Sequence, residues 1–494
     1  LYLIKLVFFD IDPNLINATV LNGLLTAWTP ILIVWGAIFL FKTMEYTGAM
    51  DTIRTWLNGV TTNKVAQAMI VGWAFAFLIE GASGFGTPAA IAAPILVGLG
   101  FPAVRVAILC LIMNSVPVHF GAVGTPGWFG LGQLGLSSQE LMTIGINTAI
   151  IHGVAALVIP VIALIFALSF AEVRKNLVYV YLSILSCIVP YIIFARFNYE
   201  FPSIVGGTIG LVVSVALAHY RVGLAKGDDA AQAANAKHVP LPALIKATFP
   251  LWGTVLLLLA TRINQLGIKP LLVSAEPLWN ASLGTLGDIA VSKSLVVSLS
   301  GIFGTATAWK FQTLYVPALI PFFTIAAVTF VLFKAKGEVV SRTLNESATQ
   351  MKKPIMALLS ALVFVKLLMV GGEQASTLII GQALADTFGQ QWQYFASYLG
   401  ALGAFFSGSN TVSNLTFGGI QLGIAQASGL SPTSILAYQS VGGAMGNMTC
   451  IHNIVAVCSV LGLSADEGFI LKRTVIPMLA YGVIAAATGA LLLG

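Results

Sequence analysis

Residues 66–100 read AQAMIVGWAFAFLIEGASGFGTPAAIAAPILVGLG. The stretch is apolar at both ends and broken in the middle by Glu80-Gly81-Ala82-Ser83-Gly84-Phe85-Gly86-Thr87-Pro88. Each arm is about 15 residues, short for a ~30 Å hydrocarbon core that takes about 20 helical residues to cross. It therefore reads as a re-entrant helical hairpin whose tip reaches mid-membrane. Glycines permit the sharp turn, and Thr87 before Pro88 suits an N-cap followed by the first helical residue. Residues 394–428 repeat the pattern around a second tip, Ser407-Gly408-Ser409-Asn410-Thr411-Val412-Ser413-Asn414.

The rest of the chain fits a membrane solvent. Of 494 residues, 57% are hydrophobic and 9% charged, against roughly 25% charged in a soluble domain. No globule has the volume to hide that much apolar surface. Apolar blocks near 24–44, 103–123, 146–170, 177–195, 204–220, 247–264, 314–334, 354–371, 433–460 and 475–493 read as further spans. The 49 glycines and 20 prolines suit close packing and breaks in membrane helices. The four cysteines have no zinc-like spacing and read as buried structural thiols, with no metal or cofactor expected. The chain begins at Leu1 without methionine, so a native N-terminus with further spans is expected upstream.

Loop charge sets orientation. One side carries fifteen Lys and Arg, from Arg54 and Lys64 to Lys472 and Arg473; the other carries Arg196, Lys269, Lys293 and Lys310. The rich side is cytoplasmic. This places the open end of hairpin 66–100 in the cytoplasm and that of 394–428 outside. The expected architecture is all-α and polytopic, with two inverted repeats, 1–220 and 247–494, each holding a hairpin and a broken helix. A cytoplasmic linker, 221–246, joins them, and the less hydrophobic stretch 265–313 is expected to cap the outer face.

The breaks follow the hairpins. Asn114-Ser115-Val116-Pro117, with His119 just beyond, interrupts one span; Gly442-Gly443-Ala444-Met445-Gly446-Asn447 interrupts the other. Unwound backbone at membrane depth is tolerated only around protein or a polar cavity. Two helix N-termini meeting from opposite sides would form a donor-rich cradle for a carboxylate. Candidate substrate contacts are Ser83, Gly84, Gly86, Thr87, Asn114, His119, Ser409, Asn410, Thr411, Ser413, Asn414 and Asn447. Packing glycines and ordinary loops are the bland alternative. Glu80 is the candidate proton carrier, because an acidic side chain at a helix centre costs roughly 2.5–3.5 kcal/mol and needs a partner, water or a proton. His119 and His452 are candidate relays, with packing roles as the alternative. Lys366 and Arg262 read as snorkelling side chains, Arg105 as structural, and Glu373 and Asp386 as solvated.

The stretch IEGASGFGTPAAIAAPILVGLGF (79–101), with NSVPVHFGAVGTP (114–126) and the run GSNTVSN in the second half, resembles the lactate permease family of bacterial monocarboxylate transporters. The resemblance extends over most of the chain from about residue 20. It implies uptake of L-lactate, glycolate or a similar 2-hydroxy monocarboxylate with protons, by a multi-pass protein of a prokaryotic inner membrane. It also implies likeness to the ion transporter superfamily, whose hairpins carry substrate in an elevator-type movement. Ser409-Asn410-Thr411 is similar to the SNT motif of that superfamily's sodium-coupled dicarboxylate carriers, which makes a sodium-coupled di- or tricarboxylate carrier the competing reading. Better-known members carry a lysine where this chain has Asn447, within GNMTCIHN. A membrane-embedded enzyme would need a catalytic cluster, and His119 and His452 stand isolated in the sequence. Expected partners are thus a small carboxylate, H+ or alternatively Na+, and the lipid bilayer; no nucleic acid is expected, and a homodimer is a candidate assembly.

Overall fold

The computed structural model describes residues 1–84, 87–225, 239–262, 266–316, 318–463 and 466–492. Gly86 and most of the expected linker, 226–238, lie outside these. Among the described residues, eight helices are long and apolar enough to cross a membrane. A helix is the economical choice there, because every backbone polar group must be satisfied without water. Leu177–Ala195 illustrates the outer surface. Val178, Leu182, Leu185, Val189 and Ile193 are exposed along one side, a stripe that suits lipid and would be a liability in water.

The chain divides into two compact units. The first comprises Leu1–Thr52 and Leu241–Ile380. Asp12 caps the helix Pro13–Thr26 by accepting from the Asn14 amide at 2.9 Å, with Pro13 at the first helical position. The helix Lys352–Met369 packs on it at Gly23, where an added Cβ would lie 2.8 Å from Val363 Cα. The stretch expected as an outer cap contains a four-stranded antiparallel meander: β1 Pro277–Ser282, β2 Asp288–Ser292, β3 Val296–Ser300 and β4 Trp309–Gln312. Leu299, Ile289 and Trp309 of its inner face pack on Ala18, Leu21 and Leu25. The strands are short and weakly alternating, which hides them in a sequence dominated by 20-residue apolar blocks.

The second unit comprises Ile53–Pro240 and Gly381–Gly494 and holds both hairpins and both broken helices. Hairpin 1 runs up through Lys64–Ala68, a π-helical segment Met69–Phe75 and Ala76–Ser83, then returns through Thr87–Gly98. Its arms are 20 and 12 residues, where equal arms were expected. Asn63 caps the first arm, and Lys64 Nζ donates to Leu99 O while resting over the Phe101 ring, which ties the open end together. The helix Pro202–His219 presses on this arm through Gly207, whose added Cβ would lie 2.4 Å from Leu78 Cα. Hairpin 2 consists of Ala396–Ser407 and Asn410–Ser428, with Gly408 left-handed at the tip (φ +71°).

Each hairpin leads into a helix that breaks. Ala103–Met113 ends at Asn114 and continues after a 52° bend. The second break falls later than expected. Pro432–Gly446 is continuous through Gly442 and Gly443, and the chain leaves it at the 3₁₀ turn Asn447–Thr449 before Ile451–Leu461. The glycines serve packing: a Cβ on Gly442 would meet Ser397 O at 1.9 Å, and one on Gly446 would meet Ala401 O at 2.4 Å.

Candidate functional site

Glu80 sits in the last turn of the first arm of hairpin 1 and is 1% exposed. Its Oε2 accepts a hydrogen bond from Asn114 Nδ2 at 3.1 Å. Its Oε1 lies against Gly121, where an added Cβ would be only 2.4 Å away. The carboxyl is thus wedged between the end of one broken helix and the backbone just after its break.

That backbone is strained. After the 3₁₀ turn Val116–Phe120, residues Ala122, Val123 and Gly124 all take left-handed φ/ψ (φ +44°, +59° and +70°). A β-branched residue is a rare occupant of that region, at a cost of roughly 1–3 kcal/mol. Trp128 Nε1 holds the turn by donating to Val123 O at 2.8 Å, and Thr125 Oγ1 donates to Ala122 O. Gly124 is required twice over, by its positive φ and because a Cβ would sit 2.2 Å from Tyr199 O. The turn brings Ala122 against Gly84 at the hairpin tip.

Opposite, Ser409 caps the second helix of hairpin 2 by accepting from Val412 N at 3.3 Å. The first amides of that helix, at Asn410 and Thr411, have no intrahelical acceptor. These pieces surround a small cavity of about 10 Å³, room for about one water, lined by Glu80, Gly84, Val118, Gly121, Ala122, Pro126, Gly408, Ser409, Asn410, Thr411 and Asn447. Both hairpins and both broken helices contribute. Among the described residues of the lining, Glu80 is the one ionisable side chain and there is no Lys or Arg.

Ser440 ties the cavity wall together. Its Oγ accepts from Asn414 Nδ2 at 2.9 Å and from Asn410 Nδ2 at 3.3 Å, and lies 2.5 Å from His119 Nδ1. A hydroxyl has two acceptor sites and one proton. With both amides donating, its proton goes to His119 Nδ1, so His119 is neutral with its own proton on Nε2. Asn414 also donates to Pro126 O at 3.0 Å. The buried side-chain oxygens of Asn114, Asn410 and Asn414 have no donor among the described residues.

Of the residues singled out from sequence, Glu80, Gly84, Ser409, Asn410, Thr411 and Asn447 line the cavity. Asn114, His119 and Asn414 stand behind it, each bonded to a wall residue or to Ser440. Ser83 and Ser413 are spent on backbone carbonyls, of Ile79 at 2.9 Å and Gly400 at 2.6 Å. His452 is exposed on the helix after the second break, outside the lining. Gly86 and the Thr87 side chain lie outside the described residues. Hairpin 1 brings the end of its first arm to the cavity through Glu80 and Gly84. Sequence reading missed Ser440, Gly121 and the left-handed turn. The Gly-x-x-Gly spacing of Gly121 and Gly124 was the available signal for the turn; a serine inside an apolar helix gives none.

The same reading missed His152, which is fully buried with Nδ1 bonded to the Tyr481 hydroxyl. Arg105, Glu373 and Asp386 are exposed, as expected of residues outside the site, and Lys366 is half-buried. The side chain of Arg262 lies outside the described residues.

Paired hairpins and broken helices around a polar cavity with one buried carboxyl define a solute-carrying membrane permease. The chain belongs to the L-lactate permease family, whose sequence profile matches residues 1–493. It is 50% identical to a putative L-lactate permease of Haemophilus influenzae over 99% of this chain and 91% of that protein. It is 28% identical to the L-lactate permease of Salmonella typhimurium (96% and 86% of the two chains) and 27% identical to the glycolate permease GlcA of Escherichia coli (91% and 81%). Among solved structures, the YdaH transporter of Alcanivorax borkumensis aligns with a TM-score of 0.41 at 13% identity, over 95% of this chain and 87% of that one. The protein is therefore a multi-pass membrane transporter and not an enzyme.

Proposed function

We propose that this protein carries L-lactate, glycolate or a similar 2-hydroxy monocarboxylate across the cell membrane together with a proton held on Glu80. The permeases it resembles are named for L-lactate and glycolate. The observation that carries the proton is the charge count of the cavity. Among the described residues its lining includes one carboxyl and no Lys or Arg, so a bound carboxylate beside an ionised Glu80 would put two uncompensated negative charges in a low-dielectric site. A proton on Glu80 removes one of them. The amides that open the second helix of hairpin 2 at Asn410 and Thr411 would meet the substrate carboxylate, as helix N-termini favour anions. On this reading 1–220 and 247–494 are inverted repeats, and the unit that holds both hairpins is the body that moves.

The test is uptake of labelled L-lactate into proteoliposomes under an imposed inward proton gradient, with and without sodium. Uptake should follow the proton gradient and ignore sodium. Glu80→Gln should lose at least about tenfold in accumulation, equivalent to about 1.4 kcal/mol of driving interaction, while L-lactate still raises its melting temperature. Sodium-dependent uptake, or transport of succinate or citrate in place of lactate, would move the protein to the sodium-coupled reading and leave Glu80 a structural residue.

A further inference from the structure

We infer that Asn114 is the positioning residue that serves Glu80 in both of its protonation states, and that it thereby sets the pH at which the carrier loads and releases its proton. The inference rests on the proposal that Glu80 carries the coupled proton. Three observations lead to it. Asn114 Nδ2 donates to Glu80 Oε2 at 3.1 Å. Asn114 Oδ1 is buried and has no donor among the described residues. The other carboxyl oxygen of Glu80 faces Gly121, which has no side chain to offer it a bond.

A buried polar atom without a partner calls for an explanation, since leaving it so costs roughly 1–3 kcal/mol. A carboxylate is an acceptor only and needs a donor; a carboxylic acid has one proton to give and needs an acceptor. An amide offers both, and a half turn about its terminal torsion exchanges them. When Glu80 is ionised, the Nδ2 hydrogens of Asn114 meet it. When water in the cavity delivers a proton to Glu80, the new O–H finds its acceptor in Asn114 Oδ1; on release the proton returns to water and Nδ2 takes up the bond again. No net charge moves on Asn114, and neither state leaves the carboxyl unpaired.

The surroundings leave this task to Asn114. On the elements packed against or bonded to Glu80, the titratable side chains are His119 on Val116–Phe120, occupied by Ser440, His219 at the far, exposed end of Pro202–His219, and, on Ala103–Met113, the buried Cys110 thiol and Arg105 at its exposed start. Next to these, Tyr191 packs on Phe77 and Glu200 adjoins Gly124. The segments Met69–Phe75, Thr87–Gly98 and Gly121–Thr125 carry no titratable residue. Asn114 itself is held at a helix end, its N–H bonded to Cys110 O at 3.1 Å, which fixes where the amide can reach.

The experiment compares Asn114→Leu, which keeps the size and loses both hydrogen-bonding functions, with Asn114→Asp, in full-length protein in proteoliposomes. The readout is the pH profile of proton-driven L-lactate uptake, with infrared difference spectra of the protonated carboxyl as a second measurement. In the Glu80 background, each variant should shift the profile midpoint by about one pH unit or more and move the carboxyl band. In the Glu80→Gln background, where residue 80 no longer titrates, Asn114→Leu should leave the residual pH dependence unchanged. If wild-type uptake is proton-driven and needs Glu80, yet both Asn114 variants keep the parental profile and carboxyl band, the inference is overturned and the proton role of Glu80 stands. If wild-type uptake ignores the proton gradient, or Glu80→Gln keeps it, the reading beneath the inference has failed instead.

Discussion

Gly442→Ala is expected to yield a protein that no longer elutes as a folded species in detergent. A single methyl group is enough because it has nowhere to go. An added Cβ would lie 1.9 Å from Ser397 O, 2.7 Å from Ser397 C and 2.9 Å from Gly400 Cα, all backbone atoms of hairpin 2. A flexible side chain could turn aside, but two helix backbones must move apart. Close approach of this kind drives helix association in membranes, where lipid is as apolar as leucine and the hydrophobic effect does not select partners. Overpacking against side chains costs roughly 1–3 kcal/mol; here the whole contact of Ala396–Ser407 with Pro432–Gly446 opens, so a loss of at least about 3–4 kcal/mol is expected from a total stability of roughly 5–15. The buried chain Trp392–Gln421–Gln439–Ser413, bonded at 2.7, 3.0 and 3.0 Å, would lose its register in the same step. Gly468→Ala is the control. That glycine is helical with nothing near its missing side chain, so the substitution should leave the melting temperature unchanged or raise it slightly. A Gly442→Ala protein that melts within a few degrees of the parent would mean that the close contact does not hold the hairpin.

Where the sequence spoke through periodicity and composition, it was legible. The apolar blocks located the spans, and the 35-residue stretches located both hairpins. The second break was misplaced because glycine carries two meanings in a membrane helix. Gly442 and Gly443 permit a break and also permit contact, and only the position of Ser397 on another segment decides between them. The four-stranded sheet was hidden because its short strands follow no single apolar pattern. The left-handed turn at Ala122–Gly124 was out of reach for a different reason: a valine at φ +59° contradicts local preference, and it persists because Trp128 and Thr125 hold its carbonyls. Local conflicts of that kind are expected where a site is built.

Ser440 is the residue whose removal should separate transport from folding. It is fully buried, yet it does not line the cavity. Its Oγ joins Asn410 and Asn414 of hairpin 2 to His119 of the first broken region, with every donor and acceptor site in use. Ser440→Ala strands two amide donors and one imidazole nitrogen. Each unsatisfied buried group costs roughly 1–3 kcal/mol, although a water admitted to the space left by the hydroxyl would recover part of it. Asn414 keeps its bond to Pro126 O, whereas Asn410 has no second bond from its amide nitrogen and should swing. Asn410 is the wall residue at the start of the helix whose amides are proposed to meet the substrate carboxylate, so the loss should fall on binding. A penalty of about 2 kcal/mol there corresponds to roughly thirtyfold weaker uptake at low L-lactate, with the melting temperature lowered much less than in Gly442→Ala. Ser440→Cys, similar in shape but a weak hydrogen-bonding partner, should fall between the parent and Ser440→Ala. Uptake kinetics over a range of L-lactate concentrations decide the matter: a raised KM with a retained maximal rate places the effect on Asn410 and the carboxylate. Parental kinetics in Ser440→Ala would show that the cavity wall holds its shape without the hydroxyl.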